Sequence, residues 1–298
     1  MDKELTRRQM MGRTGIALGG VVGLGVLDAC SSAKASPAST TTDTTTDTSD
    51  AGTGTTGPQV ANFPYEQYLP AGYRIDVAAV KEVAYHGYYA GGCCHGAYNA
   101  LVGHLASTVG APFNLLPLDF GKFGGGGIAG YGSICGSVLG GVLVLNMAVS
   151  NATARSAMMT DLMRWYEGNA FPAYVPTAAD AGETGLTLDF SASNLVRLQI
   201  APHSHLCHAS VSAWCAANHV SAAGNDKKAR CARLTADVAG KVAEMINSYL
   251  ASSAYTAAAI DATSNGCLGC HGPTTTGHPV ASGMDCAPCH GDKLTGHP

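Results

Sequence analysis

Charge is scarce in this sequence. Asp, Glu, Lys and Arg make up 13% of 298 residues, and the net charge is −4. No basic stripe runs along the chain, so the electrostatic footprint of nucleic-acid binding is missing. Between Lys122 and Arg155 nothing is charged at all. That stretch invites a membrane span, but its apolar part is only about sixteen residues, against the roughly twenty a helix needs to cross. Glycines also interrupt it. A buried helix entered through the glycine loop Gly124–Gly127 is the better reading. The loop lacks the Lys-Ser/Thr ending of a phosphate cradle, which argues against nucleotide binding. Strand signals are sparse too: Leu186–Phe190 and Asn194–Ile200 offer a small hairpin at most.

What is present is helical. In 226–252 the residues Cys231, Leu234, Val238, Val242, Met245 and Tyr249 recur at three- and four-residue steps, with Asn225 or Asp226 placed to cap the start. Residues 153–167, 207–220 and 94–108, the last just after Gly91-Gly92, read as helices as well. The expected fold is mainly α, with a helical cysteine-rich body over 61–256, long enough for one core. A small, irregular segment follows over 257–298.

Two segments precede the body. Residues 1–30 carry Thr6-Arg7-Arg8-Gln9-Met10-Met11, a twin-arginine export signature, and then a weakly hydrophobic stretch from Gly15 to Leu27. Leu27-Asp28-Ala29-Cys30 resembles a lipoprotein processing site, with Cys30 as the lipid-bearing new terminus and Asp28 as its departure from the usual residue. Residues 31–60 are Ser, Thr, Ala, Gly and Asp with almost nothing to bury. They read as a flexible tether holding an exported, periplasmic body off a membrane.

The tail repeats itself. Cys267-Leu268-Gly269-Cys270-His271-Gly272 leads to Gly277-His278-Pro279, and nineteen residues on Cys286-Ala287-Pro288-Cys289-His290-Gly291 leads to Gly296-His297-Pro298. Each copy is a C-x-x-C-H, the attachment signature of haem c. Cys267, Cys270, Cys286 and Cys289 are placed to form thioethers, and His271 and His290 to stand under the iron as proximal ligands. His278 and His297 recur at the same offset, so the tail holds four histidines for the four axial positions of two haems. Each precedes a Pro, which biases it towards extended backbone. Seven extended residues span at most roughly 24 Å, so each distal His reaches a neighbouring haem more easily than its own. His95, His205 and His208 are the alternatives for the distal role.

Six more cysteines lie in the body: Cys93, Cys94, Cys135, Cys207, Cys215 and Cys231. One at a time they read as small buried hydrophobes, or as disulfide partners in an oxidising compartment. As a set, Cys93, Cys135, Cys207 and Cys231 sit at helix starts or on a core-facing stripe, and four converging thiolates are what an iron–sulfur cluster requires. Export supplies a second argument. The twin-arginine route carries proteins already folded, and haem c is attached afterwards, so a cytoplasmically assembled cluster accounts for the route where haem does not.

Gly92-Cys93, Cys135-Gly136-Ser137-Val138-Leu139-Gly140 after the glycine loop, Cys207 and Cys231 together resemble the C-GCAxxG-C-C redox pattern. With two C-x-x-C-H motifs appended, residues 80–298 resemble a split-Soret cytochrome c. The resemblance implies a homodimer with two closely stacked bis-His haems per subunit and axial ligation shared between subunits. It also implies an Fe–S site in the helical domain, of which [2Fe–2S] is the candidate type. Ser137 stands where the pattern prefers Ala, and Cys94 and Cys215 are extra thiols in reserve. The expected function is electron transfer with redox partner proteins. The alternative is a haem-dependent oxidoreductase with an open axial site acting on a small substrate.

Overall fold

The computed structural model describes residues 68–177, 197–276, 279–280 and 283–291, all within the unit Gly57–Pro298. Arg7, Arg8, Cys30, the tether, Leu186–Phe190, His278 and His297 lie outside the described residues.

The described chain is mainly α, in the order α1 (Val77–Thr108), short 3-10 turns at Phe113–Leu115 and Leu118–Gly124, α2 (Gly136–Ala148) and α3 (Ala152–Gly168). Then follow α4 (Cys207–Ala217), α5 (Asn225–Ser252), α6 (Ala262–His271) and α7 (Ala287–His290). Among the described residues extended pairing is confined to two isolated antiparallel bridges, Ile134 with Leu206 and Phe171 with Ile200.

Long α1 and α5 pack against each other, and α2 lies across both. The amphipathic stripe of α5 puts Leu234, Val238, Val242 and Ile246 into the core, where Leu101, Leu105, Val144, Leu145 and Leu162 meet them, all essentially inaccessible to solvent. Burial of each such side chain contributes about 1.5–3 kcal/mol. α2 is apolar nearly all round because it is covered on several sides, and no described helix is long and apolar enough to cross a membrane. Asn247 of α5 accepts from Ile75 N at 2.7 Å and donates to Ile75 O at 2.9 Å, stitching the start of α1 to the end of α5.

Three expectations about element ends need correction. The helix read over 94–108 is the second arm of a longer one. Its first arm starts after Asp76, whose carboxylate caps Ala78 and Ala79 at 2.9 and 3.1 Å. The arms join through Gly92 at φ 87°, ψ 177°, a conformation that L side chains rarely adopt. The cap of α5 is the backbone of Gly224, since Asn225 and Asp226 already lie inside the helix. α4 ends at Ala217 because Asn218 turns its amide back to Trp214 O at 3.0 Å.

Candidate redox centres

The kink at Gly92 aims Cys93 and Cys94 into the body. Gly136 makes room for them: a Cβ there would stand 2.5 Å from Cys93 Sγ and 2.4 Å from Gly124 O, so only glycine fits. Cys135 N-caps α2 and Cys207 opens α4. The Ile134–Leu206 bridge sets these two helix starts side by side. Cys135 N donates to His205 O at 2.8 Å and Cys207 N to Ser133 O at 2.6 Å. Cys231 comes from α5, which is tied to α2 by the Ser137–Thr235 hydroxyl pair at 3.0 Å. The glycine loop closes over the group. A Cβ on Gly124 would lie 2.7 Å from Cys94 Sγ, and one on Gly127 2.9 Å from Cys207 Cβ.

The electrostatics distinguish the thiols. Burial pushes Cys93 well above the ordinary thiol range, and Cys135, Cys231 and Cys207 push it further. Burial, then Cys135 and Cys231, raise Cys207 to about 12. Those four are therefore within electrostatic reach as one group. Cys94 is raised to about 12 by burial and then by Cys135, and Cys215 is raised by burial and then by Cys231.

Sequence reasoning missed the cation beside them. Arg230 is 2% exposed. It donates from Nη1 to Cys231 Sγ at 3.9 Å and from Nη2 to Ser210 Oγ at 2.7 Å, where Tyr166 also donates at 2.8 Å. Burial alone would lower its pKa, yet Cys231, Tyr166 and Cys135 beside it raise it above the usual value. Its buried Nε has no hydrogen-bond partner. A guanidinium sealed in this way needs negative charge next to it. The available signal was a charged residue directly before Cys231 on a helix whose next turns are all core.

Among the described residues no three His, Cys, Asp or Glu side chains converge tightly enough to hold one metal ion.

The tail is organised differently. Asp261 caps α6 through Ser264 N at 2.8 Å, and α6 carries Cys267 about one turn before the adjacent Cys270 and His271. The second motif begins at Cys286, whose N donates to Ser264 Oγ at 3.1 Å. Ser264, 1% exposed, also lies 3.4 Å from Asp285 Oδ1. This knot brings Cys267 against Cys286, and partial burial with that neighbour raises the Cys267 thiol. Asp161 of α3 anchors the segment to the body, accepting from Tyr255 Oη at 3.1 Å and Ala258 N at 2.8 Å.

The alternative histidines differ in access. His95 is 3% exposed, with Asn99 Nδ2 3.4 Å from its Nε2. His205 Nδ1 sits 3.1 Å from Glu167 Oε1 and lines a cavity of about 140 Å³ with Met163 and Met284, next to the second motif. His208 is exposed.

A helical body that gathers cysteines around a buried cation, followed by a tandem C-x-x-C-H segment, defines a cysteine-centred redox protein of c-haem type. Residues 93–245 match the family described as "Putative redox-active protein (C_GCAxxG_C_C)". The chain belongs to the split-Soret cytochrome c family. It is 33% identical over 248 residues to the split-Soret cytochrome c of Desulfovibrio desulfuricans (strain ATCC 27774 / DSM 6949 / MB), covering 82% of this chain and 78% of that relative. A solved structure described as "A novel iron centre in the split-Soret cytochrome c from Desulfovibrio desulfuricans ATCC 27774" aligns with a TM-score of 0.65 at 32% identity. That alignment covers 76% of this chain and 94% of the other. The family makes it a haem-containing electron-transfer protein.

Proposed function

We propose that the protein is an exported di-haem c electron carrier with an additional Fe–S cluster, acting as a homodimer between redox partner proteins. Cys267 and Cys270 hold one haem and Cys286 and Cys289 the other, with His271 and His290 as proximal and His278 and His297 as distal ligands. Cys93, Cys135, Cys207 and Cys231 hold the cluster, [2Fe–2S] in type, with Cys94 and Cys215 outside its ligand set. Export uses Arg7 and Arg8 and delivers the protein to the periplasm, with Cys30 as the lipid-bearing residue.

The observation that carries the reading is that one fold draws both sets of thiols together. The four body thiols lie within reach of one another beside Arg230, and the Ser264 knot places the two C-x-x-C-H motifs in contact. Each bound group would supply a one-electron couple. The chain's own work is to hold charge and exclude water. Burial and their thiol neighbours keep Cys93 and Cys207 protonated, so loading must expel their protons. Arg230 then offsets the thiolate charge where no water reaches.

The test is haem and iron analysis of protein purified without oxygen, together with its visible and EPR spectra. Two haems, non-haem iron and low-spin signals alone are expected. Two haems without non-haem iron remove the cluster, whereas a high-spin haem points to the oxidoreductase. His278→Ala and His297→Ala should each convert one haem to high spin.

A further inference from the structure

Thr160, Met163 and Glu167 follow one another on α3 at steps of three and four, so they share one face of that helix. With His205 from the segment before α4, and Gly283 and Met284 from the tail, that face walls the cavity of about 140 Å³. The cavity therefore brings two thioethers and one imidazole together from three separate parts of the chain.

The histidine is held in a particular state. Its Nδ1 lies 3.1 Å from Oε1 of Glu167, a buried residue. A carboxylate only accepts, so a neutral imidazole paired with it carries its proton on Nδ1 and its lone pair on Nε2. A carboxylate in this position is the partner that orients metal-binding histidines and raises their basicity.

We propose that this cavity is a binding site for one cuprous ion, ligated by Met163 Sδ, Met284 Sδ and His205 Nε2, with Glu167 as the positioning residue. The proposal is independent of the haem and Fe–S assignments, since none of their ligands is used. Donor chemistry selects the metal. Thioethers are soft and favour Cu(I), and imidazole suits copper as well, whereas Mg²⁺ and Ca²⁺ call for oxygen ligands. A zinc site needs three or four imidazole, thiolate or carboxylate donors, and here only His205 and Glu167 are of that kind.

Charge agrees with the choice. The three ligands are neutral, and Glu167 is the one acidic residue of the cavity wall, so it balances a monocation and leaves a dication half compensated. Arg164, which approaches Gly283 on the same side, is turned to Asp161 at 3.8 Å. The ion would also join regions that are otherwise held by few contacts. Met163 and His205 belong to the body, and Met284 stands two residues before Cys286, the first thioether position of the second motif.

The test is titration of the mature holoprotein, without oxygen, with Cu(I) in competition with bicinchoninate. Wild type is compared with Met163→Leu/Met284→Leu, Met284→Leu, Glu167→Gln and the control Met159→Leu, which alters a core-packed methionine of α3 outside the cavity. Met to Leu nearly conserves volume, so the fold is spared, and haem and non-haem iron are counted in every protein. Copper taken by other thiols is common to all of them and cancels in the difference. Met159→Leu should match wild type, and both thioether variants should hold one copper fewer per chain. Glu167→Gln should keep that copper with roughly tenfold weaker affinity. X-ray absorption of the wild-type copper should show sulfur and nitrogen donors together. Thioether variants that bind as much copper as wild type would overturn the proposal. A high-spin haem in His205→Ala would assign His205 to haem iron and overturn it too.

Discussion

The two cysteine-bearing regions of this molecule solve the same problem in opposite ways. In the body, thiols are placed by a core that exists without them: α1, α2 and α5 bury Leu101, Val144, Leu145 and Val242, and the cysteines ride on those helices. In the tail, the cysteines sit on two short helices where Ser264 and Gly272 are the buried residues among those described. A segment of that size cannot build a core of its own. The body can therefore shape a site before anything binds, whereas the tail must borrow its core from the group it binds.

That difference breaks open most sharply when haem is withheld. Protein made without haem attachment should lose tail order altogether while the body keeps its cooperative unfolding transition. Limited proteolysis checks this: cleavage should concentrate between 253 and 291 and leave a body fragment intact. Equal resistance of both regions would mean that the tail folds unaided. In the same metal-free, reduced protein the thiols should separate by reactivity. Cys270 and Cys289 are exposed and should alkylate first. Cys207, with its pKa pushed to about 12, carries about a thousandfold less thiolate at neutral pH than an ordinary thiol. Its labelling rate should rise about tenfold per pH step up to that value, read by mass spectrometry of quenched iodoacetamide reactions.

Arg230 sharpens the comparison from inside the body. Without a cluster its guanidinium is buried with an unsatisfied Nε, and Arg230→Met should leave stability unchanged or slightly improved. With the cluster loaded the same change removes a sealed counter-charge, at a cost of about 3 kcal/mol. The sign difference between metal-free and loaded protein in denaturant unfolding is the result to look for. A loss of equal size in both states would make Arg230 a purely structural residue.

Much of this was legible in the sequence, and the exceptions have physical causes. The 3.6-residue stripe of α5 and the charge-free run of α2 declared two buried helices, because apolar periodicity is a local property. The first arm of α1 stayed hidden because the Gly91-Gly92 pair looks like a helix boundary, and only packing against α5 shows that it is a bend. Which of Cys93 and Cys94 is turned towards Cys207 and Cys231 depends on the direction of that bend, which no spacing encodes. Arg230 was missed because a charged residue is read as facing water until a partner is known. The Ser264 knot was missed because a serine in a polar segment carries no periodic signal.

The smallest expected effect concerns the one place where the sequence departs from its family pattern. Ser137 stands where the resemblance prefers Ala. Its hydroxyl is fully buried and lies 3.0 Å from Thr235 Oγ1, which itself donates to Cys231 O at 2.8 Å. The chain of contacts runs from α2 through Thr235 to the backbone of a cysteine in the site. An alanine here keeps the space filled, so no cavity term arises. Thr235 keeps its bond to Cys231 O, so no buried donor is stranded. What remains is the net worth of one neutral hydrogen bond, about 1 kcal/mol. Ser137→Ala should lower the urea midpoint by that amount with an unchanged slope and leave thiol reactivity as it was. If Cys231 became faster to alkylate instead, the serine would be positioning the site as well as bracing the helices, and the distinction between a core that places thiols and thiols that need placing would be less clean than the body suggests.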